Sequence, residues 1–119
     1  MDYLVGTDII EIERIKKAVQ NEKFIKHVYT ENEIKYCESK KVQKYQSYAG
    51  KFAAKEAIYK ALSEKIKTNY KWTDFEILND EEGRPFVNLK LKINNLKKIE
   101  LSISHCKEYA ISYVLAIFD

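Results

Sequence analysis

The sequence predicts an α+β fold in which helices, one of them long and central, pack on an antiparallel β-sheet. Three observations lead there. Apolar residues recur at helical spacing through the first half of the chain. The stretch from about Val42 to Ile66 contains no Pro and only Gly50 to weaken a helix. From Phe75 onward the apolar residues alternate, as half-buried strands require.

Residues 3–10 read as a strand in which Asp8 interrupts an apolar run. Such an Asp either caps the helix that begins near Glu11 or serves chemistry. From Glu11 to Gln20, the spacing of Ile12, Ile15 and Val19 predicts an amphipathic helix with Arg14, Lys16 and Lys17 outside. Phe24, Ile25 and Val28 suggest a further short helix. Thr30-Glu31-Asn32-Glu33 has the form of a capping box and opens a helix running to about Ser39. In the long helix that follows, Lys44, Lys51 and Lys55 fall on one side, read as a solvent face. Glu56 and Lys60 lie away from it, one turn apart, between Phe52 and the small residues Ala49 and Ala53.

Beyond a connecting segment at residues 67–73, Phe75 and Ile77 begin a strand. The turn Asn79–Pro85 offers Gly83 for a positive φ, and its Pro is barred from a central ladder position. Val87, Leu89, Leu91 and Ile93 predict the next strand, and Ile99, Leu101 and Ile103 another. The last runs from Tyr109 to Phe118 with Ile111, Tyr113, Leu115 and Ile117 on one face. Short turns between these strands predict an antiparallel meander. No linker or repeat divides the 119 residues, so a single domain over 1–119 is expected.

Composition narrows the function. A chain 45% hydrophobic and 33% charged belongs with soluble globular proteins, and no apolar run approaches the ~20 residues of a membrane span. The first residues do not form an export signal, which points to the cytoplasm, where Cys37 and Cys106 are expected as free thiols. The net charge of +3 is mild, and interleaved acids at Glu11, Glu13, Glu22 and Glu31 argue against a nucleic-acid surface. No Walker loop, dinucleotide fingerprint, G-x-S-x-G or HExxH is present. His27 reads as a surface residue. Ser104-His105 sits in a turn after a strand end, where ligands often bind. Locally, Glu56 and Lys60 form either an ordinary ion pair or a divided pair holding a cation and an anion.

Thr7-Asp8-Ile9-Ile10-Glu11-Ile12-Glu13-Arg14-Ile15, Phe52-Ala53-Ala54-Lys55-Glu56-Ala57-Ile58-Tyr59-Lys60, the turn Asn79–Pro85 and Leu101-Ser102-Ile103-Ser104-His105 occur in that order across nearly the whole chain. Together they resemble the holo-acyl-carrier-protein synthases, the small bacterial type of the 4′-phosphopantetheinyl transferase superfamily. The resemblance implies transfer of the phosphopantetheine arm of coenzyme A to a serine of apo acyl-carrier protein. Adenosine 3′,5′-bisphosphate would be released, in support of fatty acid biosynthesis. It implies a magnesium ion held by Asp8 and Glu56, with Glu56 taking the serine proton directly or through a water. Lys60 is implied on coenzyme A phosphate, with Ser104 and His105 helping to hold the nucleotide. Arg14 is implied at the carrier protein, helped by Lys16 and Lys17. The family's small members form trimers with sites between subunits, so His105 and the turn around Arg84 are candidates for a neighbour's site. Two departures bear on coenzyme A contact. Ser63-Glu64-Lys65-Ile66 replaces a Gly-rich turn, and Lys51 stands where an Arg is usual. A diphosphate hydrolase or a non-enzymatic basic binding module are the competing readings.

Overall fold

The computed structural model describes residues 1–119. In chain order it comprises β1 (Asp2–Glu11), α1 (Ile12–Ala18), α2 (Glu22–Val28), α3 (Glu31–Ser39), α4 (Lys44–Leu62), β2 (Phe75–Asn79), β3 (Pro85–Leu89), β4 (Leu96–His105) and β5 (Tyr109–Phe118). This is the α+β arrangement expected, with α4 laid across a sheet. No helix is long and apolar enough to cross a membrane.

The strands differ from a single meander. They form an antiparallel three-stranded sheet in the order β1-β5-β4 and a separate β2-β3 hairpin. The first strand therefore pairs with the last, with Asp8 opposite Ser112. β3 ends at Leu89, because Leu91 and Ile93 leave the ladder and turn into the core beneath α4. On β5 the buried positions are Ala110, Ser112, Val114, Ala116 and Phe118, whereas Ile111 and Tyr113 face outward. The small residues lie under the helix because close packing leaves no room for larger ones.

α4 is shorter than expected, since Lys41–Gln43 form a 3-10 turn and the helix stops at Leu62. Its sheet-facing side is made of Gly50, Ala53, Ala54, Ala57 and Ala61, all buried. Gly6 of β1 completes the close approach: a Cβ there would lie 2.0 Å from the Ala57 carbonyl oxygen and 2.9 Å from the Ala61 nitrogen. Backbone cannot yield as a side chain can, so only Gly fits.

The supposed solvent face of α4 is a correction. Lys44 is partly exposed and pairs with Glu38 at 3.2 Å, but Lys51 and Lys55 are buried. Burying an ammonium is costly unless its protons are taken up. Lys55 Nζ donates to the carbonyls of Trp72 (3.1 Å) and Phe75 (3.0 Å) and pairs with Glu33 at 2.9 Å. Lys51 Nζ donates to the Ile77 carbonyl at 2.8 Å and to Asn79 Oδ1 at 2.6 Å. Glu33 Oε2 in turn accepts from the Ile77 N–H at 2.7 Å. The open edge of β2 is thus satisfied by side chains of α3 and α4 rather than by another strand. Burial lowers both lysine pKa values, and the Glu33 charge works against that fall.

The capping box forms as expected: Thr30 Oγ1 accepts from the Glu33 N–H at 3.2 Å, and Glu33 Oε1 accepts from the Thr30 N–H at 2.8 Å. Glu33 therefore caps α3 and neutralises Lys55 with the same carboxylate. Asp8 does not cap α1, whose N-cap is Glu11.

Candidate active site

β1 alternates Gly6, Asp8 and Ile10 toward α4, and that alternation turns the Asp8 carboxylate inward between two residues of the packed face. Glu56 comes from the middle of α4 and is half-buried. Both side chains line one hollow of about 380 Å³, together with Arg14 of α1 and an apolar floor that includes Ile15, Phe24 and Phe52. Lys60, one turn beyond Glu56, reaches back across the helix–strand seam. Its Nζ lies 3.0 Å from the Thr7 carbonyl oxygen and 3.1 Å from Asp8 Oδ1.

The electrostatics follow from this crowding. Burial raises the Glu56 carboxyl above its ordinary value, and the Asp8 charge adds to the rise, while Lys60 and Arg14 oppose it. A raised carboxyl beside a second carboxylate is the environment in which a proton acceptor or a cation gains most. Glu56 and Lys60 do not pair with each other: Lys60 pairs with Asp8, and Glu56 is left facing the hollow.

Ser104 and His105 lie elsewhere in the chain. Ser104 stands opposite Ile111, which stands opposite Ile9, and those two isoleucines are exposed on the outer face of the sheet. His105 lines a second hollow of about 270 Å³ with Lys40, Ser47, Lys51, Asn79 and Gly83. The two hollows share no lining residue. Within one chain, the structure brings Asp8, Glu56, Lys60 and Arg14 together and leaves Ser104 and His105 apart from them.

Two polar side chains of the second hollow have no sequence signal of their own, since nothing local ties Lys40 or Ser47 to His105. Helical spacing alone puts Lys51 in solvent, and only the family resemblance links it to coenzyme A. The one available signal was Gly50 within a helix, which lines this hollow and lies against Ile103.

A family model described as the 4′-phosphopantetheinyl transferase superfamily matches residues 4–114. This chain belongs to that superfamily. It is 47% identical to a holo-(acyl-carrier-protein) synthase of Ruminiclostridium cellulolyticum, over 97% of this chain and 92% of that protein. It is 50% identical to the synthase of Clostridium tetani, over 92% of this chain and 90% of the other. Among solved structures, the superfamily member from Bacillus anthracis, in complex with CoA (3′,5′-ADP), superposes with a TM-score of 0.79 at 36% identity. That match covers 95% of this chain and 94% of the other. The Helicobacter pylori synthase in complex with coenzyme A superposes with a TM-score of 0.81 at 31% identity, over 96% and 100% of the two chains.

Within this superfamily member, Asp8 and Glu56 are the candidates for a divalent cation. No group of three or more His, Cys, Asp or Glu side chains converges anywhere in the chain, so the pair offers two carboxylates without a third ligand. That donor set fits magnesium, which binds through one or two carboxylates and keeps its remaining positions for phosphate and water.

Proposed function

We propose that this protein is a magnesium-dependent holo-acyl-carrier-protein synthase. It would move the 4′-phosphopantetheine of coenzyme A to a serine of apo acyl-carrier protein and release adenosine 3′,5′-bisphosphate. One observation carries the proposal beyond family membership. Asp8 and Glu56 face one hollow while Lys60 stands at its rim, so hard oxygen donors and an ammonium meet where a diphosphate could sit.

In the proposed reaction the carrier serine oxygen bonds to the phosphorus that bears the pantetheine arm. The bond from that phosphorus to the adenosine bisphosphate oxygen breaks. Glu56 takes the serine proton, directly or through a water. Lys60 leaves Asp8 for phosphate and stabilises charge on the departing oxygen. A magnesium ion on Asp8 and Glu56 would supply charge neutralisation for the diphosphate. Arg14, exposed beside the hollow, receives the acidic carrier, with Lys16 and Lys17 adding positive charge.

The nucleotide end requires a partner chain under this proposal. His105 and Lys51 form a basic cleft away from Glu56, so a complete site needs the cleft of one copy beside the carboxylates of another. Tyr3 (59%), Val5 (57%), Ile9 (60%), Ile111 (43%) and Tyr113 (50%) expose an apolar band on the outer sheet face, suited to burial between copies. A homotrimer with sites between subunits would bring them together, and Ser104 on that same face would then approach the neighbour's substrate. The protein so described is cytoplasmic, folds as one domain over residues 1–119 and supports fatty acid biosynthesis.

Incubation with coenzyme A, magnesium and apo carrier protein, followed by mass spectrometry of the carrier, tests the proposal. Transfer adds the phosphopantetheine mass. Consumption of coenzyme A with an unmodified carrier would indicate a diphosphate hydrolase, and no turnover at all a binding module. Asp8→Asn and Glu56→Gln should each lower transfer by about 10²-fold or more with the fold intact. Full activity in both variants rejects the carboxylate site.

A further inference from the structure

Glu56 has a second neighbourhood, on the flank away from Asp8. Tyr59 follows it by three positions and so lies beside it on the helix surface. The Tyr59 ring stacks on Tyr70 with centroids 5.3 Å apart and planes 29° apart. Tyr70 stacks in turn on Phe75, at 5.7 Å and 28°. Phe75 is fully buried, whereas Tyr70 at the outer end remains 42% exposed. The row is held from beneath, because Lys55 binds the carbonyls of Trp72 and Phe75. Tyr59 beside it is the main cause holding the Tyr70 phenol above its ordinary value, and the Glu56 charge is the smallest.

This row has no part in the reaction as described so far. A stacked pair of phenols held open to solvent beside a carboxylate is a surface for a chain that is uncharged, extended and rich in amides. Aromatic faces stack on amide planes, and the hydroxyls hydrogen-bond carbonyls. The opposite aromatic wall, Phe24 and Phe52, shares its hollow with Arg14 and so lies on the carrier side. The charged nucleotide has the basic His105 cleft. The pantetheine arm, which begins at the reacting phosphorus and carries two amides and no charge, is the part of the substrate left without a partner.

Resting on the transfer reaction proposed above, we propose that Tyr59 and Tyr70 form the subsite for the pantetheine arm of coenzyme A. Tyr59 stands inside the Phe52–Lys60 stretch, and Tyr70 lies in the connecting segment just beyond Ser63–Ile66. The subsite binds the arm and leaves the nucleotide to the other cleft.

Titration calorimetry with coenzyme A and with adenosine 3′,5′-bisphosphate, which lacks the arm, separates the two. Tyr70→Ala should weaken coenzyme A binding about tenfold, the loss of one aromatic contact, and leave the bisphosphate unchanged. Tyr70→Phe keeps the ring and should bind coenzyme A nearly as the parent does. Tyr70→Leu serves as a second ring-free variant if the alanine protein unfolds. Equal weakening of both ligands, or no weakening of either, overturns the subsite. Because the readout is binding, it stands apart from transfer: an unmodified carrier in the wild-type assay rejects the transferase proposal, while calorimetry still decides whether the tyrosines hold the arm.

Discussion

Lys60 Nζ and Asp8 Oδ1 are 3.1 Å apart, joining the last turn of α4 to β1, and Glu56 one turn earlier makes no ion pair of its own. The Asp8 side chain is only 14% exposed, so the pair is shielded on the carboxylate side and open on the lysine side, which is 52% exposed. Lys60 can therefore swing to a bound phosphate without unpacking the helix. Lys60→Met should lower transfer about 10²-fold. It should also raise the Glu56 pKa further, since Lys60 is one of the two cations that hold it down. An NMR titration of the Glu56 carboxyl without divalent ions measures the second effect. An unchanged midpoint would mean that Lys60 does not act on Glu56.

Gly6 sets how closely β1 and α4 approach, and hence where Asp8 stands relative to Glu56. Gly6→Ala would put a methyl 2.0 Å from the Ala57 carbonyl oxygen, and both elements would have to move apart. Overpacking of this kind costs about 1–3 kcal/mol, and a backbone obstacle places it at the upper end. Thermal unfolding should show a drop of several degrees, and the folded remainder should transfer more slowly because Asp8 and Glu56 would line the hollow from shifted positions. A wild-type melting temperature would show that the seam is looser than the structure has it.

Local signals account for what the sequence made legible. The Thr30–Glu33 box is written in four consecutive residues, and the alternation on β4 and β5 is a property of each strand alone. The pairing of β1 with β5 joins residues more than a hundred positions apart, as in the 3.0 Å bond from Thr7 Oγ1 to the Ser112 carbonyl. No short window encodes that. Lys51 and Lys55 were misplaced for the same reason: their acceptors come from residues 72–79 and from Glu33, and helical spacing cannot see them. For the site, resemblance pointed to Asp8 and Glu56 as a pair, while composition and spacing gave only an i,i+4 pair at Glu56 and Lys60. The Tyr59–Tyr70 stack had no sequence signal, since it depends on how a connecting segment folds back.

Lys55 and Glu33 form an ion pair with both side chains 0% exposed. Removing one partner strands the other's charge in the core. Lys55→Met should cost about 3–5 kcal/mol, as for other broken buried pairs. In Glu33→Gln/Lys55→Met no charge is stranded, so the double variant should lose less than the sum of the two single ones. Urea denaturation of the four proteins gives the coupling directly. Additive losses would mean that the backbone carbonyls alone hold Lys55.

Glu38 provides the pH-dependent test of stability. Its Oε2 accepts the Tyr48 hydroxyl at 2.7 Å, and its Oε1 lies 3.2 Å from Lys44 Nζ. The Tyr48 hydrogen bond is the main cause of a carboxyl held below its ordinary value of 4.5, with Lys44 adding to it. A folded-state pKa below the unfolded one means that unfolding takes up a proton in the interval between them. The stabilisation is therefore complete above the unfolded value and is lost as pH falls through the folded one. Glu38→Gln should melt below the parent at pH 7, by less than about 1 kcal/mol because the side chain is 49% exposed. The gap should close as pH falls past the ordinary carboxylate range, where both states of the parent are protonated. Lys44→Met should have the smaller effect at pH 7, since Tyr48 supplies the larger part of the shift. A Glu38→Gln gap that stays constant from pH 7 into acid would assign the loss to packing around Tyr48 and not to the carboxylate charge.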